Sequence, residues 1–112
     1  MIELTKAYIH YFENKMLMEI LSLLEDDFYL EDPVVKHVTG SVSVEKFFKD
    51  FFSSNETISF KANNIYIDNE RNVSIIEFEL NLDGMILFGT DIIEWSENNK
   101  MKCLRAYLDI PK

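Results

Sequence analysis

Three side chains have types and placements suited to proton-transfer chemistry: Asp32, Asp91 and Tyr8. Asp32 sits in the run FYLEDPVV, residues 28–35, which reads as a strand. Side chains of a strand alternate between two faces, so Phe28, Leu30, Asp32 and Val34 share one face and Tyr29, Glu31 and Pro33 the other. The face expected to be buried therefore carries a carboxylate. Asp91 repeats the anomaly in MILFGTDIIEW, where Met85, Leu87, Gly89, Asp91, Ile93 and Trp95 form one alternating set that is apolar or glycine apart from the acid. The other set holds Thr90 and Glu94 together with Ile86, Phe88 and Ile92. Two carboxylates in one small core are costly unless each is paired or neutral. Proteins bear that cost chiefly where a perturbed acid has a task. Each acid alone has a plainer account. An Asp before Pro commonly ends a strand and bonds nearby backbone N–H groups, and Asp91 has Arg105 available as an ionic partner. Both acids together, with tyrosines on the first helix, point to a site.

The elements that must position these groups follow from periodicity. Leu4, Tyr8, Tyr11 and Phe12 recur at helical spacing, with Ala7 and Ile9 broadening the stripe. Tyr8 thus points inward with Leu4 and Phe12. MLMEILSLLEDD continues with Met16, Ile20, Leu23 and Leu24 on a second apolar face, and a break near Asn14 and Lys15 divides the two helices. Pro33 lacks an N–H and biases Asp32 toward extended backbone, so the strand is expected to end there or lie at an edge. Ser43 is the expected N-cap of a helix carrying Val44, Phe47, Phe48, Phe51 and Phe52 on one face. Four strands complete the chain: TISFKANNIYI, a turn at DNERN, VSIIEFELNL, a two-residue hairpin at Asp83-Gly84, MILFGTDIIEW, the loop SENN, and KMKCLRAYLDI. Helices followed by antiparallel strands make an α+β domain.

Composition bounds the alternatives. At 112 residues, 47% hydrophobic, the chain has room for one core and one domain spanning 1–112. Its net charge of −9, from 20 acids against 11 bases, repels phosphate backbones and anionic lipid surfaces. Nucleic-acid and membrane partners are therefore not expected. Cys103 is the one cysteine, which excludes an internal disulfide and a cysteine-rich metal site. The N-terminal stretch lacks the apolar core of a signal peptide, and no run approaches a membrane span, so a cytoplasmic location is expected.

The pattern resembles the nuclear transport factor 2-like (SnoaL-like) superfamily, and within it the ketosteroid isomerases. ILSLLEDDFYLEDPV is similar to their helix leading into a strand that ends in an Asp-Pro pair. Gly40 and SVEKFFKDFF resemble the segment that follows, and GTDIIEWSENNKMKCLRAYLD their last two strands. The resemblance implies a cone-shaped fold, with three N-terminal helices packed on a curved antiparallel sheet that encloses a pocket. It implies Asp32 as general base, Asp91 as a protonated oxyanion-hole acid and Tyr8 as the oxyanion-hole tyrosine, with Tyr11 as the alternative if the helix is offset by a turn. An ionised Asp32 would take a proton from the carbon beside a carbonyl, and Tyr8 and neutral Asp91 would hydrogen-bond the enolate. No metal or organic cofactor is implied. A small apolar ligand or substrate and a homodimer are. The alternative in another class is a ligand-binding or association module of the same fold without chemistry. Asp91 separates the two: catalysis needs it neutral beside Tyr8, whereas a module tolerates it ionised and paired with Arg105.

Around this trio, Tyr11, Tyr29, Phe48, Phe52, Trp95 and Arg105 are the expected substrate-binding residues. Phe48 stands where the isomerases often carry a supporting tyrosine, so the hydrogen-bond network behind Tyr8 is expected to be shorter, or fed by Tyr11 or Tyr29 instead. Arg105 is expected to pair with Glu77, Glu79 or Asp109; gripping an anionic substrate is the alternative. With Asp32 and Asp91 it also matches the Asp-Arg-Asp set of relatives that open epoxides. Trp95 and the apolar outer face of the sheet are the expected dimer surface. His10 and His37 have no metal-type spacing and are expected at the surface.

Overall fold

The computed structural model describes residues 1–34 and 36–109. Val35 of the FYLEDPVV run and residues 110–112 of the DIPK terminus lie outside the described residues. Helices α1 (Ile2–Glu13) and α2 (Leu17–Ser22) are followed by strands β1 (Leu24–Asp32) and β2 (Lys36–Thr39), helix α3 (Ser41–Ser54), and strands β3 (Ile58–Asp68), β4 (Val73–Leu82), β5 (Met85–Trp95) and β6 (Met101–Asp109). The strands form one curved, unclosed six-stranded sheet in the order β2-β1-β6-β5-β4-β3.

Local chemistry sets the boundaries. On α1, Thr5, Tyr8 and Phe12 are buried at helical spacing. The break predicted near Asn14 and Lys15 is present: Lys15 adopts a positive φ of 55°. Its Nζ donates to the carbonyls of Asn55 and Glu56, fastening the α1–α2 joint to the end of α3. β1 stops at Asp32, because Pro33 cannot extend the ladder. The alternation therefore fails at Val34, which is 70% exposed rather than inward. Helix α3 begins earlier than the Ser43 cap predicts. Gly40, at φ 91°, makes the turn into it, a conformation open to glycine, and Ser43 lies inside the first turn. Asp83 and Gly84, both at positive φ, form the expected hairpin between β4 and β5. The Asp83 carboxylate also accepts from the backbone N–H groups of Glu56 and Thr57.

β3 to β6 are an antiparallel meander, as the turn signals require. The sheet is not antiparallel throughout, however, because β1 runs parallel to β6, with Leu30 opposite Leu104 and Glu31 opposite Arg105. The β1–β2 hairpin docks on the last strand of the meander, and α3 crosses over to reach β3 at the far edge. Leu24 belongs to β1 and not to the end of α2.

One face of the sheet packs against the helices, and the core cluster lies between them, rich in phenylalanine. The opposite face exposes Ile86, Phe88 and Tyr107. Trp95 is not part of that outer surface: it is 4% exposed, and its Nε1–H donates to buried Ser74 Oγ at 2.9 Å.

Candidate functional site

The two acids become neighbours through strand register. On β5, Asp91 lies opposite Ala106 of β6 and Ile76 of β4. Across β6, the parallel register that sets Glu31 beside Arg105 brings Asp32 alongside Ala106 one step further on. The inner face therefore reads Asp32, Ala106, Asp91, Ile76 across four strands. At a strand spacing of ~4.8 Å, the backbones of the two acids stand ~10 Å apart with a single methyl group between them. A larger residue than Ala106 would fill the space into which both carboxylates project.

Helices α1 and α3 roof this row. Tyr8, 1% exposed, and Phe48, 0% exposed, face the sheet beside Phe12. Together with Asp32, Asp91 and Ala106 they line a partly open cavity of about 50 Å³. The rest of the wall is apolar, including Leu30, Phe60 and Leu104. The side chains that give it chemical character are the trio Tyr8, Asp32 and Asp91.

Burial dominates the electrostatics. Loss of water pushes the Asp91 carboxyl up from the ordinary 3.8 to about 8, and the nearby charge of Asp32 pushes in the same direction. Asp91 is therefore mostly protonated at neutral pH and can donate a hydrogen bond. The Tyr8 hydroxyl is raised well above its ordinary 10, first by burial and then by Asp91, whose charge appears only above its own titration. Among the described residues no protein group hydrogen-bonds Tyr8 Oη or the Asp91 carboxyl. Among the described residues no buried polar side-chain atom is left orphaned, so these oxygens face the cavity rather than solid packing. Asp32 sits at the rim, half-buried, with Oδ1 accepting the Val34 N–H at 2.6 Å.

The structure thus brings Tyr8, Asp32, Asp91 and Phe48 together and leaves other expected residues outside. Tyr11 is half-buried beside His10 and does not line the cavity, whereas Tyr8 does. Phe52 is buried one layer behind the wall, against Phe12 and Phe48. Trp95 faces inward but lies four residues along β5 from Asp91, ~13 Å at strand rise. Tyr29 lies on the outer face, its ring stacked on exposed His37 with centroids 5.3 Å apart. Arg105 is on that face too. It donates to Glu94 Oε2 at 2.5 Å rather than to Glu77, Glu79 or Asp109, and this contact holds the Glu94 carboxyl below its ordinary range. Alternation explains the misplacement: Leu104, Ala106 and Leu108 face in, so Arg105 faces out. It does not line the cavity that holds Asp32 and Asp91. Among the described residues, no group of three or more His, Cys, Asp or Glu side chains is arranged to hold a metal ion.

Sequence reasoning missed Ala106, whose small size opens the cavity floor. The alternation of Leu104, Ala106 and Leu108 marked it as inward, but its place between the acids needed the β1–β6 register. Of the four phenylalanines of α3, which the helical spacing marks as core with some open to lining a pocket, Phe47, Phe48 and Phe51 are in the cavity wall.

No family model matches the chain, and no curated protein matches it. Solved structures do. A SnoaL-like protein of unknown function from Burkholderia thailandensis superposes with a TM-score of 0.85 at 12% identity, covering 96% of this chain and 93% of that one. A candidate ketosteroid isomerase from Kribbella flavida gives 0.81 at 15% identity, over 98% and 78% of the two chains. A nuclear transport factor 2-like protein of unknown function from Cytophaga hutchinsonii gives 0.77 at 16%, over 95% and 87%. At these identities the likeness is one of fold. The chain has the nuclear transport factor 2-like fold, and its chemistry must be argued from its own cavity.

Proposed function

We propose that the protein is a small-molecule enzyme that moves a proton next to a carbonyl group, in the manner of a ketosteroid isomerase. The observation that carries this reading is the pairing of two buried hydrogen-bond donors that have no protein partner among the described residues, Tyr8 and Asp91, in one cavity with Asp32. A carbonyl oxygen placed between the donors accepts both hydrogen bonds. They strengthen as the oxygen gains charge, which lowers the barrier to enolate formation. Asp32, at the rim and on the same face, is the group to accept the α-proton and return it. Neutral Asp91 is essential to this division of labour. Ionised, it would repel the enolate and Asp32 alike.

The test is solvent exchange. Acetone and cyclohexanone are incubated in D2O with the protein, and loss of the α-proton signal is followed by NMR. Catalysed exchange that disappears in Asp32→Asn and drops in Tyr8→Phe supports the reading. Exchange at the buffer rate with every ketone overturns it. A second reading, a ligand-binding module without chemistry, draws on the cavity's small volume, about 50 Å³. It predicts ligand binding with no exchange.

A further inference from the structure

Helix α3 carries a patterned stripe outside its buried one. Ser43, Phe47, Phe51 and Ser54 follow one another at spacings of four, four and three residues, so they share one flank of the helix, ~16 Å from end to end. All four border an open recess of about 590 Å³, and Val38 and Thr39 of β2 contribute its other side. That volume is in the range of ordinary small-molecule sites.

The middle of the stripe is aromatic and its margin is polar. The Phe47 and Phe51 rings are half-buried, 6.3 Å apart, with planes 29° from parallel. Each is supported from behind: Phe47 meets Phe48 edge-on at 5.4 Å, and Phe51 packs on Phe12 at 5.3 Å. The hydroxyls of Thr39, Ser43 and Ser54 have no protein hydrogen-bond partner among the described residues. Lys46 and Asp50 also border the recess, and they pair with each other at 2.6 Å. His37 borders it too, with its ring stacked on Tyr29.

This make-up argues against three kinds of ligand. A wholly apolar one would strip water from the hydroxyls and the ion pair without replacing its hydrogen bonds. An anion would find the Lys46 ammonium already matched by Asp50, in a chain whose net charge of −9 repels it. A cation would find the Asp50 carboxylate matched in turn. A neutral ring with C–H bonds on its faces and hydroxyls on its edges meets all three conditions. Its C–H groups rest on the negative face of an aromatic ring, while its hydroxyls both donate to and accept from the polar margin.

We propose that the recess between α3 and β2 binds a neutral saccharide, one sugar ring lying on Phe47 and Phe51 with its hydroxyls bonded to Ser43, Ser54, Thr39 and the Lys46–Asp50 pair. The site is independent of the proton-transfer reading, because Tyr8, Asp32 and Asp91 do not line the recess.

The experiment is an NMR titration of the isotope-labelled protein with glucose, N-acetylglucosamine, maltose and cellobiose, each to ~50 mM, which covers millimolar dissociation constants. Glucose 6-phosphate and cyclohexanol are titrated beside them, the first adding charge and the second lacking the set of edge hydroxyls. The variants are Phe47→Leu and Phe51→Leu, which remove a flat face, and the surface changes Ser43→Ala and Thr39→Val, each checked for folding by its thermal transition. The expected result is saturable shifts at residues 37–39 and 43–55 with at least one sugar, and an affinity about fivefold or more lower in the folded variants. Absence of saturable shifts with all four sugars overturns the site. So do shifts that map elsewhere, or that ignore Ser43→Ala and Thr39→Val as well as the phenylalanine changes. Tighter binding of glucose 6-phosphate than of glucose, or of cyclohexanol than of any sugar, overturns the neutral saccharide as its ligand.

Discussion

Replacing Asp91 by asparagine removes a titration while preserving the size of the side chain. In the folded protein the carboxyl titrates at about 8, against 3.8 for the ordinary group. Below pH ~4 both folded and unfolded chains hold the proton. Between ~4 and ~8 the folded chain keeps it and the unfolded chain has released it, so stability falls as pH rises, by ~1.36 kcal/mol per pH unit. Over a difference of about four units, the total is ~6 kcal/mol. The sign is opposite to that of a salt-bridged carboxylate: the contribution is fully present in acid and lost as pH climbs through 8. Asp91→Asn carries no such dependence, and the other titrating groups cancel in the comparison. Urea unfolding followed by the fluorescence of the single, buried Trp95 should therefore show the variant gaining on wild type by ~6 kcal/mol between pH 4 and pH 9. Profiles that stay parallel to within ~1 kcal/mol would refute the burial of Asp91.

Three further outcomes follow from named contacts. Tyr8→Phe removes a buried hydroxyl that has no protein partner among the described residues, so urea unfolding should show stability unchanged or raised by up to ~1 kcal/mol, even though the residue is in the site. Gly89→Ala should destabilise by about 1–3 kcal/mol, seen as a lowered urea midpoint. The added Cβ would stand 2.7 Å from the Tyr107 carbonyl oxygen and 2.8 Å from the Phe78 ring, and backbone cannot yield as a flexible side chain can. Arg105→Ala breaks the pair with Glu94, whose side chain is 35% exposed while that of Arg105 is 25% exposed. It should cost no more than ~1 kcal/mol and leave the affinity for phenols, measured by fluorescence titration, unchanged, because the guanidinium is on the far face of the sheet.

Much of the site was legible where local rules govern. Alternation along β1 and β5 turned Asp32 and Asp91 inward, the helical stripe turned Tyr8 inward, and Asp83-Gly84 marked its hairpin. The rules failed where a distant partner decides. The parallel pairing of β1 with β6 leaves no local signal, so the row Asp32, Ala106, Asp91 could not be written from the sequence. Arg105 found Glu94, a diagonal neighbour across the β5–β6 ladder, because the register and not composition selects the partner. Alternation set Trp95 on the inner face with Asp91, against its assignment to the outer dimer surface, and the structure keeps it inside but several residues from the cavity. Val34 shows the limit of alternation itself, which ends with the strand at Pro33. Phe47 and Phe51 fit the same helical stripe as Phe48 and Phe52, and only the packing of α3 against β2 separates wall from core.

The central claim is that Tyr8 and neutral Asp91 act together as donors to an oxygen that carries negative charge. Its most direct test is the binding of a series of substituted phenols to wild type, Tyr8→Phe and Asp91→Leu, measured at pH 7 and again at pH 9.5. Binding to wild type at pH 7 should weaken in both variants, and in wild type as pH rises through about 8, where Asp91 loses its proton. Binding that ignores both substitutions and shows no dependence on pH in that range would contradict it.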